Sequence, residues 1–221
     1  MPGIRRLRVG VVSLAIAIAV ASTGSLVGSF DASGAQERVG AATLVVQKVT
    51  GKIENRKRNL AVKDAVYGDE LVSTAAESAA EFQFLDQTKV TLGPKTQLLL
   101  DRYVFDPKAS TSSVSMDLAK GVFRAVTGPS KFGSYSVKTP TATIGIRGTI
   151  VTIVTGDEGT VVMMNSDSTA LVKSKSGLCV VLDAPDTSVT ILPDGSVAEG
   201  PPPAWAIQQI NAMVALTGGQ A

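Results

Sequence analysis

The sequence predicts an all-β fold, with many short strands forming a compact β-solenoid, β-helix-like or sandwich domain that ends in a short C-terminal helix. Three observations predict it. From Ala41 onward, short β-branched and apolar runs alternate with Gly, Asp, Asn, Pro and Ser punctuation. No stretch of helical period appears before the tail, and Pro201-Pro202-Pro203 marks a stiff spacer where that tail begins.

Residues 1–35 read as a secretory leader. Arg5, Arg6 and Arg8 precede the uncharged apolar run 9–20, and small residues lead to Ser33-Gly34-Ala35, so cleavage is expected after Ala35. The rival reading is an uncleaved anchor, because residues 9–30 carry no charge and are long enough to span a bilayer. The β domain is read over 41–198, with strands at 43–49, 70–74, 80–85, 88–92, 97–100, 113–118, 122–126, 134–138, 141–146, 149–155, 160–165, 169–174, 178–182 and 188–192. Leu85-Asp86-Gln87-Thr88 separates two alternating runs and reads as a tight hairpin or a rung corner. Gly93-Pro94, Asp106-Pro107, Gly128-Pro129, Gly156-Asp157 and Asp194-Gly195 break the others by supplying special φ values or removing donors. Val-Thr-Gly recurs at Val49, Val126 and Val154, which would suit the corners of a short solenoid.

Residues 199–221 are the spacer and an amphipathic helix that stops at Gly218-Gly219. Either the helix packs back on the β domain, or its apolar face docks on a partner. A lone short helix is marginal in water, which favours packing back. The candidate partner contacts on it are Trp205, Ile207, Ile210 and Val214.

Composition excludes several chemistries. The chain has no histidine, which removes Ser-His-Asp and Cys-His nucleophile systems and zinc sites that need imidazole. Cys179 is the only cysteine and is read as a buried thiol within the apolar run 178–182. Residues 1–35 hold three of the 21 basic residues and one of the 19 acidic ones, so a chain cut after Ala35 carries 18 of each and no nucleic-acid partner is expected. Lys48, Lys52, Arg56, Lys57, Arg58 and Lys63 cluster locally, but without interleaved aromatics, and read as a solvated loop. Tyr103 and Ser134-Tyr135-Ser136 read as sheet-surface residues. No cofactor and no metal are expected, since no dense run of oxygen ligands appears.

Residues 138–152 form the most distinctive stretch. Thr139-Pro140 precedes a β-branched run, and Arg147 lies between Gly145 and Gly148, followed by Thr149. Pro140 suits a strand start, and glycine inside such a run suggests a bulge or a close backbone approach. Arg147 is expected to turn inward at a strand corner and pair with a carboxylate or carbonyls.

Taken together, Gly68-Asp69-Glu70-Leu71-Val72-Ser73-Thr74, the run from Ala80 to Thr88 around Asp86, Gly121-Val122-Phe123-Arg124 and the segment from Lys138 to Thr149 resemble the FecR domain of bacterial envelope proteins, over residues 45–172. The resemblance implies a periplasmic β-rich domain of the kind found in regulators that pass a signal from an outer-membrane transporter to a sigma-factor switch. It marks Thr139, Pro140, Gly145, Arg147, Gly148, Thr149, Asp86 and Gly121 as family signature, read as structural. Those regulators carry a cytoplasmic sigma-binding region before their membrane helix. Eight residues precede the apolar run here, so a free-standing periplasmic FecR domain is expected.

The expected function is therefore a non-enzymatic periplasmic binding or signalling module of the cell envelope, acting on a protein or glycan partner through strand edges or the Trp205 helix. The alternatives are a carboxylate-dependent glycan hydrolase, with Asp86, Asp101 and Asp117 as candidates, or a purely structural scaffold.

Overall fold

Side chains along a strand point alternately to opposite faces, and the buried set shows where each strand's second layer lies. In β6 (Ala79–Phe84), Ala80, Phe82 and Phe84 are buried while Gln83 faces out. In β14 (Thr169–Ser174), Ala170, Val172 and Ser174 are buried and the residues between them are exposed. Strands with one dry face require a facing sheet, and the computed structural model supplies it as two antiparallel layers around one core. The structure describes residues 36–129, 133–148, 150–166 and 169–218. The leader read over 1–35, its cleavage point and Thr149 lie outside them.

One sheet runs in the order β4 (Ala65–Tyr67), β1 (Arg38–Val46), β6, β7 (Lys89–Leu92), the second half of β9 (Thr111–Val126), β12 (Ile150–Gly156), β13 (Gly159–Met164), β16 (Ser188–Ile191) and β17 (Val197–Glu199). We call this the first sheet. The second runs β3 (Arg56–Asn59), β2 (Val49–Ile53), β5 (Glu70–Thr74), β8 (Gln97–Asp106), the first half of β9, β10 (Ser134–Lys138), β11 (Ala142–Arg147), β14 and β15 (Cys179–Leu182). Phe82, Phe84 and Phe123 of the first sheet meet Leu98, Leu118 and Ile144 of the second in a single core.

After β9 the chain lays down hairpins alternately, β10–β11 and β14–β15 on the second sheet, β12–β13 and β16–β17 on the first. The layers are therefore stacked by antiparallel hairpins, which is a sandwich arrangement. Of the pairings among the described residues, β9 with β10 is parallel, so the parallel rungs of a β-helix are not what builds the domain. The Val-Thr-Gly triplets do not mark equivalent corners either. At Val49 the triplet opens a strand, whereas at Val126 and Val154 it lies at a strand's end.

β9 serves both sheets and changes layer at Gly121. Its φ is +100°, and a Cβ there would sit 2.3 Å from Thr96 Oγ1, so only glycine fits. Thr96 fixes the crossing by accepting from the Val122 N–H (3.0 Å) and donating to the Val122 carbonyl (3.2 Å).

Helix α1 (Ala204–Thr217) lies on the outer face of the first sheet, where Ala206 and Met213 meet Val122, Val154 and Val161. Gly218 ends it in the left-handed conformation, its N–H reaching the Val214 carbonyl. It belongs to the same compact unit as the strands, residues 36–221. Among the described residues no helix is long and apolar enough to cross a membrane.

Candidate functional site

Three places hold the polar side chains that the sequence singles out. The first is the β6–β7 corner. Asp86 occupies a turn, as its residue type suggests, and its Oδ1 accepts from the Thr88 N–H at 3.0 Å. Unlike an ordinary turn residue it is buried, 2% exposed. Tyr135 donates to Asp86 Oδ2 at 2.5 Å and receives from the Thr88 hydroxyl at 3.0 Å, with Ser112 Oγ 2.8 Å away. Tyr103 accepts from the Asp86 N–H at 2.9 Å. This network fastens a corner of the first sheet to β8, β9 and β10 of the second. Tyr103 and Tyr135 are thus buried, not surface, residues. Tyr135 shares the parity of Val137 on β10, and a register irregularity between Leu99 and Arg102 turns Tyr103 inward opposite Val114. Burial, reinforced by the Asp86 carboxylate, pushes both phenols above their ordinary value. Asp86 is held by its hydrogen bonds, and the hydrolase reading loses one of its candidates; Asp101 and Asp117 lie on the paired strands β8 and β9, with Asp117 3.8 Å from Lys138.

The second place is the basic stretch read as a solvated loop. It folds as the hairpin β2–β3, and Arg58, its side chain still 36% exposed, grips the fully buried Glu70 through Nε at 3.0 Å and Nη2 at 2.9 Å. Arg58 Nη2 also donates to the Ala65 carbonyl, its guanidinium stands 5.3 Å from the centre of the Tyr67 ring, and Glu70 accepts the Tyr67 N–H at 3.0 Å. Gly51 makes room for the carboxylate, since a Cβ there would lie 1.8 Å from Glu70 Oε1.

The third place is the signature segment. Thr141 donates to Thr160 at 2.7 Å, Thr160 to Thr139 at 2.9 Å, and Thr139 to the Ala142 carbonyl at 3.2 Å. This chain of hydroxyls on either side of Pro140 ties the start of β11 to the β12–β13 hairpin. Along β11, Ala142, Ile144 and Ile146 are buried, so Thr143, Gly145 and Arg147 face outward. Arg147 is exposed and makes no ion pair among the described residues. The expected inward arginine is corrected here: strand parity fixes its direction, and the left-handed Gly148 (φ +57°) begins the turn beyond it. The buried pair expected of Arg147 is the one Arg58 makes.

Outside β11 lies a hollow of about 470 Å³, walled by Ser134, Arg147, Thr169 and Leu171, with Gly145 as its floor. Gly145 stands between Ser136 and Leu171 in register. A Cβ on Gly145 would meet its nearest neighbours at 3.8 and 4.0 Å, ordinary contact distances. Neither crowding by the described residues nor a positive φ requires glycine there.

On α1 the four candidate contacts divide. Ile210 and Trp205 pack against the cluster beneath the helix, while Ile207 and Val214 are exposed. The helix packs back, and its buried line runs through Ala206, Met213 and Thr217, one residue away from Ile207 and Val214. Cys179 is exposed rather than buried, because β15 turns Val180 and Leu182 toward the core and Cys179 and Val181 away from it.

These features describe a two-layered β domain pinned by buried polar contacts, with its signature residues split between internal ties and one outward face. Residues 70–168, spanning the Asp86 corner, Gly121 and the Arg147 face, match the model of the FecR protein family. That match covers 99 of the chain's 221 residues, and over them the chain is similar to a FecR domain. Two crystal structures of a candidate anti-sigma factor from Parabacteroides distasonis, at 1.65 and 2.50 Å resolution, are similar to the chain at 16% identity and a TM-score of 0.49. The similarity covers 62% of this chain and 62% of theirs, so the chain spans less than two thirds of that protein. No curated protein matches it.

Proposed function

We propose that this chain is a non-enzymatic signalling module of the bacterial envelope, working in the periplasm by holding a protein partner on the outer face of β10, β11 and β14. The observation that carries this reading is the Gly145 hollow. A glycine in a paired strand forgoes side-chain packing, and at this position no described neighbour asks for it. Its absent side chain lets another backbone approach, beside an exposed arginine that makes no ion pair among the described residues and could take a carboxylate or carbonyls. Leu171, 48% exposed, supplies an apolar wall.

Strand edges support this choice by being poor alternatives. The strands that end the two sheets, β4, β17, β3 and β15, are three or four residues long. Such short edges offer few main-chain bonds to an added strand.

The test places a photo-crosslinking amino acid at Leu171 in cells producing the full chain. A discrete adduct is expected that disappears in Gly145→Val and Arg147→Glu, both with unchanged melting temperature. An adduct that persists in both variants, or appears equally from the Val62 position, overturns the reading. Fractionation with N-terminal sequencing should recover a periplasmic chain beginning at Gln36; a cytoplasmic chain would overturn the location.

A further inference from the structure

A second cavity, of about 560 Å³, opens beside the N-terminal half of α1. It is within the range of about 300–1,000 Å³ common to small-ligand sites. Trp205, the only tryptophan in the chain, packs partly against the Val122, Val154 and Val161 cluster and also lines this cavity. The next turn of the helix adds Gln208 and Gln209. Lys95 arrives from the β7–β8 connection and Lys120 from the bend in β9, while Asp157 and Glu158 come from the β12–β13 turn. These four charged side chains are exposed, and among the described residues none makes an ion pair. Cations and carboxylates share one concavity and leave their bonding capacity unspent.

The lining selects a ligand class. A wholly apolar molecule would desolvate amides and charges without replacing their hydrogen bonds. An extended peptide adding to a sheet needs a free strand edge, and β9 and β12 are both paired on each side within the first sheet. A sugar ring has an apolar C–H face that suits an indole, and hydroxyls that donate to carboxylates and accept from amides and ammonium groups. A carboxylate on that sugar would receive charge-assisted bonds from Lys95 or Lys120.

We infer that this cavity binds a carboxylated oligosaccharide, with one ring against Trp205 and its acid group toward Lys95 and Lys120. The site is on the first sheet's outer side, and the inference does not rest on the partner face at Gly145.

Since Trp205 is the sole tryptophan, its emission reports the cavity directly. The full chain is titrated with N-acetylglucosaminyl-N-acetylmuramic acid, with digalacturonate, and with chitobiose as a neutral control. A saturable change in emission is expected with an acidic sugar, and chitobiose should bind about tenfold more weakly, the loss of one good contact. Lys95→Ala with Lys120→Ala should abolish that preference. Gln208→Ala, at an exposed position, should weaken all binding while leaving the melting temperature unchanged. Trp205→Phe keeps an apolar residue in the helix seat, and calorimetry should show weaker binding. A response to one acidic sugar alone supports the inference and names its source. No saturable response at millimolar sugar, or chitobiose binding as tightly as the acids, overturns it.

Discussion

Arg58 and Arg147 belong to the same two-layered domain and meet opposite fates. Arg58 lies in a run of charges with no apolar residue, yet its guanidinium is drawn in to serve a carboxylate that has no exposure at all. Arg147 lies among β-branched residues and glycines, in the most distinctive stretch of the chain, and stands in solvent. The difference is set by what lies across each strand. Glu70 has to be neutralised where it is buried, and Gly51 leaves the space in which that happens. Arg147 has the parity of Thr143 and Gly145, whose side of β11 faces away from the core. A distinctive sequence context therefore does not by itself imply burial, and an unremarkable one does not imply solvation.

The widest gap between the two arginines should appear on truncation. Arg58→Ala strands a buried carboxylate and is expected to cost about 3–5 kcal/mol, read from the urea midpoint. A cost no larger than that of an exposed substitution would erase the comparison. Gly51→Ala intrudes on the same carboxylate and should cost about 1–3 kcal/mol. Much of that penalty should vanish when Glu70 is also Ala, so a double-mutant cycle shows whether the glycine serves the pair.

Tyr135→Phe leaves Asp86 Oδ2 without its phenol donor, at a cost of about 1–3 kcal/mol. The same residue gives a pH dependence. Burial raises the folded phenols above their ordinary value of about 10, so the unfolded chain ionises first. The stability due to neutral Tyr103 and Tyr135 is therefore complete below that pH and lost as pH rises from there toward the folded values. Alkaline unfolding should be shallower in Tyr135→Phe. Arg147→Ala should change stability least, within about 0.5 kcal/mol; a large loss there would mean that the outward arginine is structural after all.

Much of the fold was legible because alternation of β-branched and polar residues is a local signal. β5, β10 and β14 fall where that alternation places them. β3 was not legible, since Arg-Lys-Arg-Asn has no apolar member, and its pairing depends on β2 and on the distant Glu70. β4 and β17 are three residues each, too short to show a period. β9 reads as two strands because Ala119-Lys120-Gly121 interrupts its pattern, although the backbone continues through the change of layer. At the candidate site, the parity of Arg147 could have been read from Ile144 and Ile146. The burial of Asp86 could not, because it is imposed by tyrosines 17 and 49 residues away. The division of the helix was partly readable: Ile210 and Met213 share the buried side, but Val214 lies around the edge of it.

The continuous backbone of β9 also removes any natural fracture plane. Separating the layers would mean tearing one strand out of both ladders, not merely parting two oily surfaces. Amide protons on β8 and β12, which flank its two halves, should exchange through one common opening, and a blow to Gly121 should be felt equally on either side of the domain.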